Sequence, residues 1–308
     1  MIFTMQPAHF DTCVFCGSSK LRQTHRNLYH TFKTDHGPFD FHQCEDCGSG
    51  LSLNPPSAER LGELYSSYKD GLPELHREIM QDDSQSDLYE YCARRMLKRV
   101  SGLSEPSWID VGAGGGELSA ILAKLLPRSS GRAIDLHARP ERLAAHTSVE
   151  WIQCDINEDG FASKTGLANS ADMVISTAVW EHVLRPDFYA RDLLRLLKPG
   201  GVLYLMCPNY GSAARILLGN RWPYFTPGEH LNMPTPKGAK VCLSRQWKIL
   251  NGERNAPAIH AAPIALPYSF RYVFRRFRLD AIGKLISPRI GVPLPAGALE
   301  AVVVLPHQ

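Results

Sequence analysis

The chain has 308 residues, of which 44% are hydrophobic and 21% are charged, and its formal net charge is +3. This composition provides enough apolar residues for a sizeable core, and the length predicts one large domain with a smaller unit. The small net charge excludes the strongly basic type of protein that coats nucleic acid. No apolar run reaches the roughly 18 residues that span a bilayer. The first residues lack a basic segment followed by an apolar one, so we expect no signal peptide and a cytoplasmic protein.

The first 55 residues contain two C-x-x-C pairs, each followed by glycine in the sequences CVFCG and CEDCG. A C-x-x-C turn directs two thiolates toward one ion, so two such turns can supply a tetrahedral structural zinc site. The metal would provide folding energy to a unit that has little core of its own. The predicted zinc ligands are Cys13, Cys16, Cys44 and Cys47. Free thiols, a redox role, another metal, and a histidine of this segment in place of one cysteine are the alternatives.

The next stretch has a helical pattern. Leu88, Cys92, Met96 and Val100 recur at intervals of four residues, which places them along one face of a helix. We therefore predict a helical connector over residues 56–103 that packs against the domain that follows it.

From about residue 106 the pattern alternates between strands and helices, which is typical of a mostly parallel, doubly wound α/β sheet. The predicted strands are residues 107–111, 132–136, 150–153, 172–176, 202–207, about 247–251 and 299–305. The predicted helices are residues 116–127, 139–146, 186–198, about 235–245 and about 268–286. We expect seven strands in this sheet, with ligands bound at the carboxyl ends of the strands.

The sequence WIDVGAGGGE at 108–117 places an acid near the end of the first strand and then four glycines within five residues. Such a density of glycine indicates that a ligand comes close to the backbone. A dinucleotide fingerprint would need a third glycine at position 117, which is Glu117, and a P-loop would need a lysine that is absent. The spacing D-x-G-x-G-x-G from Asp110 to Gly116 instead resembles motif I of class I S-adenosylmethionine (SAM)-dependent methyltransferases.

Further features occur in the same order as in that family. The second predicted strand ends at Asp135, the third is followed by Asp155, and the sequence KPGG precedes the fifth. The resemblance implies a Rossmann-like fold in which Asp135 accepts hydrogen bonds from the ribose hydroxyls and Asp155 accepts one from the adenine amino group. It implies SAM as the cofactor, bound by Asp110, Gly112, Ala113, Gly114, Gly116, Asp135, Leu136, Asp155 and Ile156.

The N-terminal segment extends the resemblance, because C-x-x-C-G, C-x-x-C-G-x-x-L-x-x-N-P-P and L-Y-x-x-Y precede this domain. The arrangement is similar to bacterial small-molecule methyltransferases with an N-terminal zinc-binding module, including sugar C-methyltransferase-like proteins. It implies a zinc-binding module at 1–55, a helical connector at 56–103 and a methyltransferase domain at 104–308. The implied function is methyl transfer, by in-line displacement, to a natural-product, sugar or glycan precursor.

Two short sequences supply candidate catalytic residues. Glu181 and His182 follow the fourth predicted strand and resemble the E-H pair of ubiquinone-pathway methyltransferases, in which E-x-x-E-H can hold a metal. Ala178 replaces the first glutamate here, which weakens the metal interpretation, and His182 is either a base, an acceptor contact or a residue that shapes the pocket. His230, in GEHLNMP, is a second candidate base at neutral pH or a structural histidine.

Residues 271–289 carry six basic residues and one acid, with an apolar stripe at helical spacing. The pattern indicates a basic amphipathic helix that either packs on the sheet or recognises an anionic acceptor, a carrier-linked acceptor or a membrane surface. Methylation of RNA gripped by the zinc module is an alternative function, although the charges of that module cancel. A non-catalytic interaction protein is the other alternative. The sequence leaves the methylated atom (O, N or C) and the oligomeric state open.

Overall fold

The computed structural model describes residues 10–29, 37–66, 84–98, 105–222, 224–253, 255–269 and 291–307. Its strands are β1 (Leu21–Leu28), β2 (Phe39–Cys44), β3 (Gly50–Ser52), β4 (Trp108–Val111), β5 (Gly131–Asp135), β6 (Val149–Gln153), β7 (Ala171–Thr177), β8 (Leu197–Pro208), β9 (Asn232–Met233), β10 (Ala258–Ser269) and β11 (Gly291–Val304). Its helices are α1 (Ala58–Ser66), α2 (Ser84–Leu97), α3 (Glu117–Leu125), α4 (Phe161–Lys164), α5 (Pro186–Leu196), α6 (Ala213–Leu218) and α7 (Pro236–Asn251), with 3₁₀ turns at Glu141–Leu143 and Gly219–Arg221. None of the helices in these ranges combines the length and apolarity that a membrane span requires.

Seven strands form the large sheet in the order β10-β11-β8-β7-β4-β5-β6. Strands β4 to β8 are parallel, whereas β11 runs antiparallel to both β8 and β10. The strand order reverses at β4, which lies between β5 and β7, and such a switch point is where α/β sheets bind ligands. The predicted mostly parallel, seven-stranded sheet is confirmed.

The large sheet has a core on each side. Ile109 packs with residues of α5 and α7 on one side, and Trp108 packs with residues of α2 and α3 on the other. Trp108 is paired with Gly131 on β5, and a Cβ at position 131 would lie 2.1 Å from the indole Cζ2. Glycine at this position therefore allows the indole to fill the core directly beside the neighbouring strand.

The strand predicted near 247–251 is wrong, because these residues are the last part of α7. The Thr235 hydroxyl accepts a hydrogen bond from the Gly238 N–H at 3.1 Å, and Pro236 is the first helical residue. The helix that begins at this cap continues to Asn251, so Trp247 and Leu250, three residues apart, lie on the face that packs against the core. Trp247 is buried whereas Ile249 is 61% exposed. The sixth strand of the sheet is β10, which follows the helix.

The helix predicted at residues 139–146 is not formed. Residues 139–146 contain only a 3₁₀ turn, because the Arg139 guanidinium donates hydrogen bonds to three carbonyls of this stretch and of the next strand, those of Leu143, His146 and Val149. These hydrogen bonds satisfy backbone carbonyl groups without the hydrogen bonds of a helix. The helix predicted at about 268–286, with its basic face at 271–289, lies outside the described residues except for positions 268 and 269, which belong to β10.

A small antiparallel sheet has the order β1-β2-β3-β9. Its first three strands come from residues 21–52, but its fourth strand, Asn232–Met233, comes from the segment that precedes α7. The two parts of the chain therefore share a sheet. The boundaries 1–55, 56–103 and 104–308 stay predictions.

Candidate functional site

The four cysteines predicted as zinc ligands lie together as free thiols. The Sγ atoms of Cys13 and Cys47 are 3.6 Å apart, and those of Cys16 and Cys44 are 3.5 Å apart. All four Sγ atoms lie within 4.8 Å of one another. Sulfur ligands about 2.3 Å from a tetrahedral zinc ion are separated by about 3.8 Å, so the donor set and its spacing fit zinc.

Both C-x-x-C pairs form the same turn. The Gly17 N–H donates to the Cys13 carbonyl at 2.7 Å, and the Gly48 N–H donates to the Cys44 carbonyl at 2.8 Å. The φ angles of these glycines are 78° and 77°, a region that favours glycine. The hydrogen bond between the Cys13 and Cys47 thiols raises the pKa of Cys13 and lowers the pKa of Cys47, so one thiolate forms more readily than the other.

The glycine loop after β4 closes over the end of β5. The N–H groups of Gly112 and Ala113 both donate to the Ile134 carbonyl, at 2.8 and 3.1 Å. The next glycine, Gly114, donates its N–H to the Asp135 carboxylate at 2.8 Å. The loop and the first acid predicted to bind the cofactor ribose are therefore in direct contact.

Three glycines of this loop adopt conformations that other residues rarely reach. The φ angle is 75° at Gly112, 53° at Gly114 and 77° at Gly116. A Cβ at position 112 would lie 2.5 Å from Val179 Cγ2, and one at 116 would lie 2.8 Å from Leu143 Cγ. By contrast, a Cβ at 114 would meet no atom of the described residues within 4 Å. The middle of the loop thus faces open space while both ends are tightly packed.

The two acids beside this loop have different environments. Asp110 is 2% exposed, its carboxylate accepts a hydrogen bond from the Ser119 hydroxyl at 2.7 Å, and burial raises its pKa to about 7. Asp135 accepts hydrogen bonds from the backbone N–H and from the ring Nδ1 of His137, each at 3.0 Å. Asp110 therefore fixes the start of α3, whereas Asp135 lies nearer the surface, next to the mostly exposed His137.

The second predicted acid lies at the end of the neighbouring strand. The Cys154 N–H donates to the Asp135 carbonyl at 2.9 Å, which holds the segment after β6 against the end of β5. The Asp155 carboxylate accepts a hydrogen bond from the Asn157 N–H at 2.9 Å. Asp155 and Ile156 are half-buried, and Leu136 is exposed. All the residues predicted to bind the cofactor thus lie at, or shortly after, the carboxyl ends of β4, β5 and β6.

The candidate catalytic residues form what we call the Glu-His-His cluster, in which the adjacent Glu181 and His182 meet the distant His230. Their potential ligand atoms lie within 4.8 Å of one another, and the imidazole centroids are 4.7 Å apart. His182 Nδ1 lies 3.1 Å from the Glu229 carbonyl and His230 Nδ1 lies 2.6 Å from the Tyr224 carbonyl. A neutral imidazole that donates from Nδ1 carries its acceptor lone pair on Nε2, so the cluster can take up protons or hold an ion.

Burial perturbs all three members of the cluster. It raises the pKa of Glu181 to about 8 and lowers the pKa of His230 to about 4. The pKa of His182 falls to about 3, because of burial and the neighbouring His230. Glu181 Oε2 is buried without a hydrogen-bond partner among the described residues. Both imidazoles are therefore neutral at pH 7, and one carboxyl oxygen can accommodate a further contact.

The backbone around the cluster is held from two directions. After β7 the chain turns at Ala178, whose φ of 55° is unusual for a residue with a Cβ and is a feature often found at functional sites. The Glu181 carbonyl accepts hydrogen bonds from the N–H groups of Leu231 and Asn232, at 2.7 and 3.2 Å. The Leu231 carbonyl in turn accepts from the Ser52 N–H in β3 at 2.8 Å. The cluster thus lies between the large and the small sheet.

Three residues near the site were not predicted from the sequence. Ser119 and His137 bind the two acids of the loop region, and Tyr89 on α2 has a raised pKa because of burial and the negative charges of Glu117 and Asp110. Only His137 had a local signal, since it follows Asp135 by two residues. The other two depend on how helices pack on the sheet.

Three features define the class of Rossmann-like methyltransferases. They are the strand order of the large sheet, the glycine loop after β4, and the acids that follow or end β5 and β6. Residues 84–246, more than half of the chain, match the family described as a methyltransferase domain. The chain belongs to this family.

Curated relatives are similar over part of the chain. A trans-aconitate 2-methyltransferase of Azoarcus sp. (strain BH72) is 29% identical over 153 residues, which cover 48% of this chain and 58% of that protein. A ubiquinone biosynthesis O-methyltransferase of Xanthomonas oryzae pv. oryzae (strain PXO99A) is 39% identical over 111 residues, covering 34% and 44%. This chain therefore spans about half the length of the curated relatives it matches.

Among solved structures, the plantazolicin methyltransferase BamL in complex with a triazolic desmethylPZN analog and SAH is similar with a TM-score of 0.51. The identity is 13%, and the similarity covers 80% of this chain and 97% of BamL. At this identity the similarity supports the fold alone.

Proposed function

We propose that this protein is an SAM-dependent methyltransferase that acts on a small-molecule acceptor. Membership of the methyltransferase domain family supports the class of reaction. The observation that carries the proposal is the contact between the Gly114 N–H and the Asp135 carboxylate, in a loop that also packs on Val179, two residues before Glu181. Open space at Gly114 and a set of acid and base groups thereby lie close to one another.

The residues around the glycine loop fit the cofactor. In this proposal Asp135 accepts hydrogen bonds from the ribose hydroxyls, Asp155 accepts one from the adenine amino group, and Ile156 contacts the adenine ring. Bound SAM supplies a methyl group activated by a sulfonium. The open space at Gly114 leaves room for the ligand, and the Ser119 hydroxyl bond keeps Asp110 and the start of α3 in place.

The Glu-His-His cluster is proposed to bind the acceptor and to receive its proton. In-line methyl transfer needs a nucleophile held near the methyl carbon, and an imidazole that is neutral at pH 7 has a lone pair free to accept that nucleophile's proton as the methyl group is transferred. His182 and His230 are neutral there because burial lowers their pKa values. Glu181, whose pKa is raised to about 8, would orient the acceptor as a hydrogen-bond donor.

We further propose one structural zinc ion at Cys13, Cys16, Cys44 and Cys47. Four thiolate ligands leave no open coordination position, so this ion would stabilise the small sheet and take no part in the chemistry. The acceptor is proposed to be a natural-product, sugar or glycan precursor, possible forms of which include anionic and carrier-linked molecules.

The cofactor part of the proposal is tested by calorimetric titration of the zinc-loaded protein with S-adenosylhomocysteine. Asp135→Asn removes the charged acceptor of the ribose hydroxyls and should weaken binding about 10- to 100-fold. The control is Asp159→Asn, which changes an acid on the surface that pairs with Arg191 and should leave the affinity unchanged. Absence of binding to the folded wild type would refute the proposed function.

A further inference from the structure

We infer that the turn at Cys44–Cys47, which carries two of the proposed zinc ligands, positions His230 and Glu181 and thereby connects the cysteine cluster to the geometry of the Glu-His-His cluster. The inference rests on the proposed function, because it assumes both the zinc ion and the catalytic role of the cluster. It assigns Ser49 and Thr235 as positioning residues that connect the two sites.

The first connection joins the turn to the start of α7. The Thr235 hydroxyl donates to the Cys47 carbonyl at 2.6 Å, and the Thr235 N–H donates to the Ser49 hydroxyl at 3.2 Å. The Cys47 thiol lies 3.2 Å from that same hydroxyl. Ser49 is 0% and Thr235 is 8% exposed, so these contacts are shielded from water and neither side chain is placed to bind an acceptor from solution.

The turn and α7 also approach very closely. A Cβ at position 238 would lie 2.1 Å from Ser49 Oγ, so Gly238 permits a contact that any other residue would disrupt. Beside it, the Lys237 ammonium donates to the Asp46 carbonyl at 2.6 Å. A displacement of the turn therefore has to displace the start of the helix as well.

The second connection runs from the turn into the candidate site. Strand β3, which begins at Gly50, pairs with Met233 and Asn232 of β9. The adjacent Leu231 accepts a hydrogen bond from Ser52 and donates one to the Glu181 carbonyl at 2.7 Å. The segment from Leu231 to Thr235 is thus bonded to the small sheet on one side and to Glu181 on the other.

Removal of the metal would release this support. Without an ion, the four Sγ atoms, which lie within 4.8 Å of one another, would lose the metal–sulfur bonds that hold the two turns together. The turn would loosen, the N–H bonds to the Glu181 carbonyl would open more often, and the exposure of His182 and His230, which are already partly exposed, would increase.

The test measures amide hydrogen exchange on peptides that cover residues 229–235, in zinc-loaded protein, together with the pKa values of His182 and His230 by NMR. Ser49→Ala removes the shared hydroxyl, and zinc content is measured on the same sample. The matched control is Ser170→Ala, which removes a hydroxyl bonded to the Leu167 carbonyl at 2.7 Å. Neither readout requires the acceptor to be known.

We expect exchange at Leu231 and Asn232 to accelerate at least tenfold in Ser49→Ala, and the pKa of both histidines to rise. Exchange in β4 and β7 and the affinity for S-adenosylhomocysteine should stay within twofold of the wild type. Thr235→Val should act in the same direction, and Thr235→Ser, which keeps the hydroxyl, should restore wild-type exchange.

The inference is overturned if Ser49→Ala behaves like Ser170→Ala, or if exchange rises equally throughout the large sheet and Thr235→Ser does not restore it. If the wild type fails to bind S-adenosylhomocysteine while the exchange of Leu231 still depends on Ser49, the proposed function fails but the connection between the two clusters stands.

Discussion

The cysteine cluster and the Glu-His-His cluster both gather potential ligand atoms within 4.8 Å, but the chain assembles them differently. The cysteines come from two copies of one local turn, and Cys13, Cys44 and Cys47 are buried in the same apolar core as strands of the large sheet. The second cluster combines the end of β7 with a loop that precedes β9, and backbone carbonyls orient its imidazoles. Local turns thus bring the cysteines together, and a metal would add its bonds to a core that they already share, whereas packing between distant segments assembles the second cluster.

The largest effect should come from the cysteine cluster. Cys44→Ser removes one of the four proposed zinc ligands, and loss of the metal should destabilise the protein by about 4 kcal/mol or more. Thermal unfolding and zinc content measure this effect. Cys154→Ser, a half-buried free thiol outside the cluster, is the control and should retain both. Equal stability of the two variants would show that the metal does not support the fold.

The next largest effect should be on the rate of methyl transfer. His182→Gln removes a proposed proton acceptor and should slow methyl transfer to a screened acceptor about 100- to 10,000-fold. Binding of S-adenosylhomocysteine should change less than twofold, because His182 is not part of the glycine loop. His260→Gln alters an exposed histidine of β10 and should have no effect. Full activity of His182→Gln would exclude this residue as the base.

A smaller effect on folding stability should appear where the glycine loop contacts Val179, two residues before Glu181 of the Glu-His-His cluster. Gly112→Ala places a methyl group 2.5 Å from Val179 Cγ2 at a φ of 75°, which should cost about 1–3 kcal/mol of folding stability and weaken S-adenosylhomocysteine binding. Gly160→Ala has a φ of 78° but open space, so it isolates the backbone cost. Chemical denaturation compares them, and an equal loss in both variants would mean that the contact with Val179 is unimportant.

The smallest effect is the pH dependence of stability. Burial raises the pKa of Glu181 from 4.5 to about 8, so its contribution is complete below pH 4.5 and is lost as the pH rises toward 8. The histidines, whose pKa values are lowered, contribute fully above pH 6.5 and do not change the slope there. Between pH 6.5 and 8 the wild type, without added metal, should lose about 1–2 kcal/mol more than Glu181→Gln. Parallel denaturation curves would contradict the raised pKa.

The amino-acid sequence by itself determined the fold class and the position of the two C-x-x-C turns and of the glycine loop. The four glycines after an acid-containing strand and the two C-x-x-C-G turns each lie within a short stretch of chain. They reflect local requirements of the backbone, so the sequence alone shows where they are. The alternation of strands and helices was sufficient for the five parallel strands β4 to β8, but it misplaced the sixth strand, which is β10.

Only the tertiary structure decided the features that result from packing between distant segments: the conformation near Trp247 and the contacts between the two sheets. The apolar residues near Trp247 suited a strand or a helix, and the cap at Thr235 selected the helix. No spacing places His230 beside His182, or Ser49 beside Thr235, because these contacts form only when β9 pairs with β3. A sequence pattern records the conformation of neighbours along the chain, whereas these pairs result from the burial of two sheets against each other.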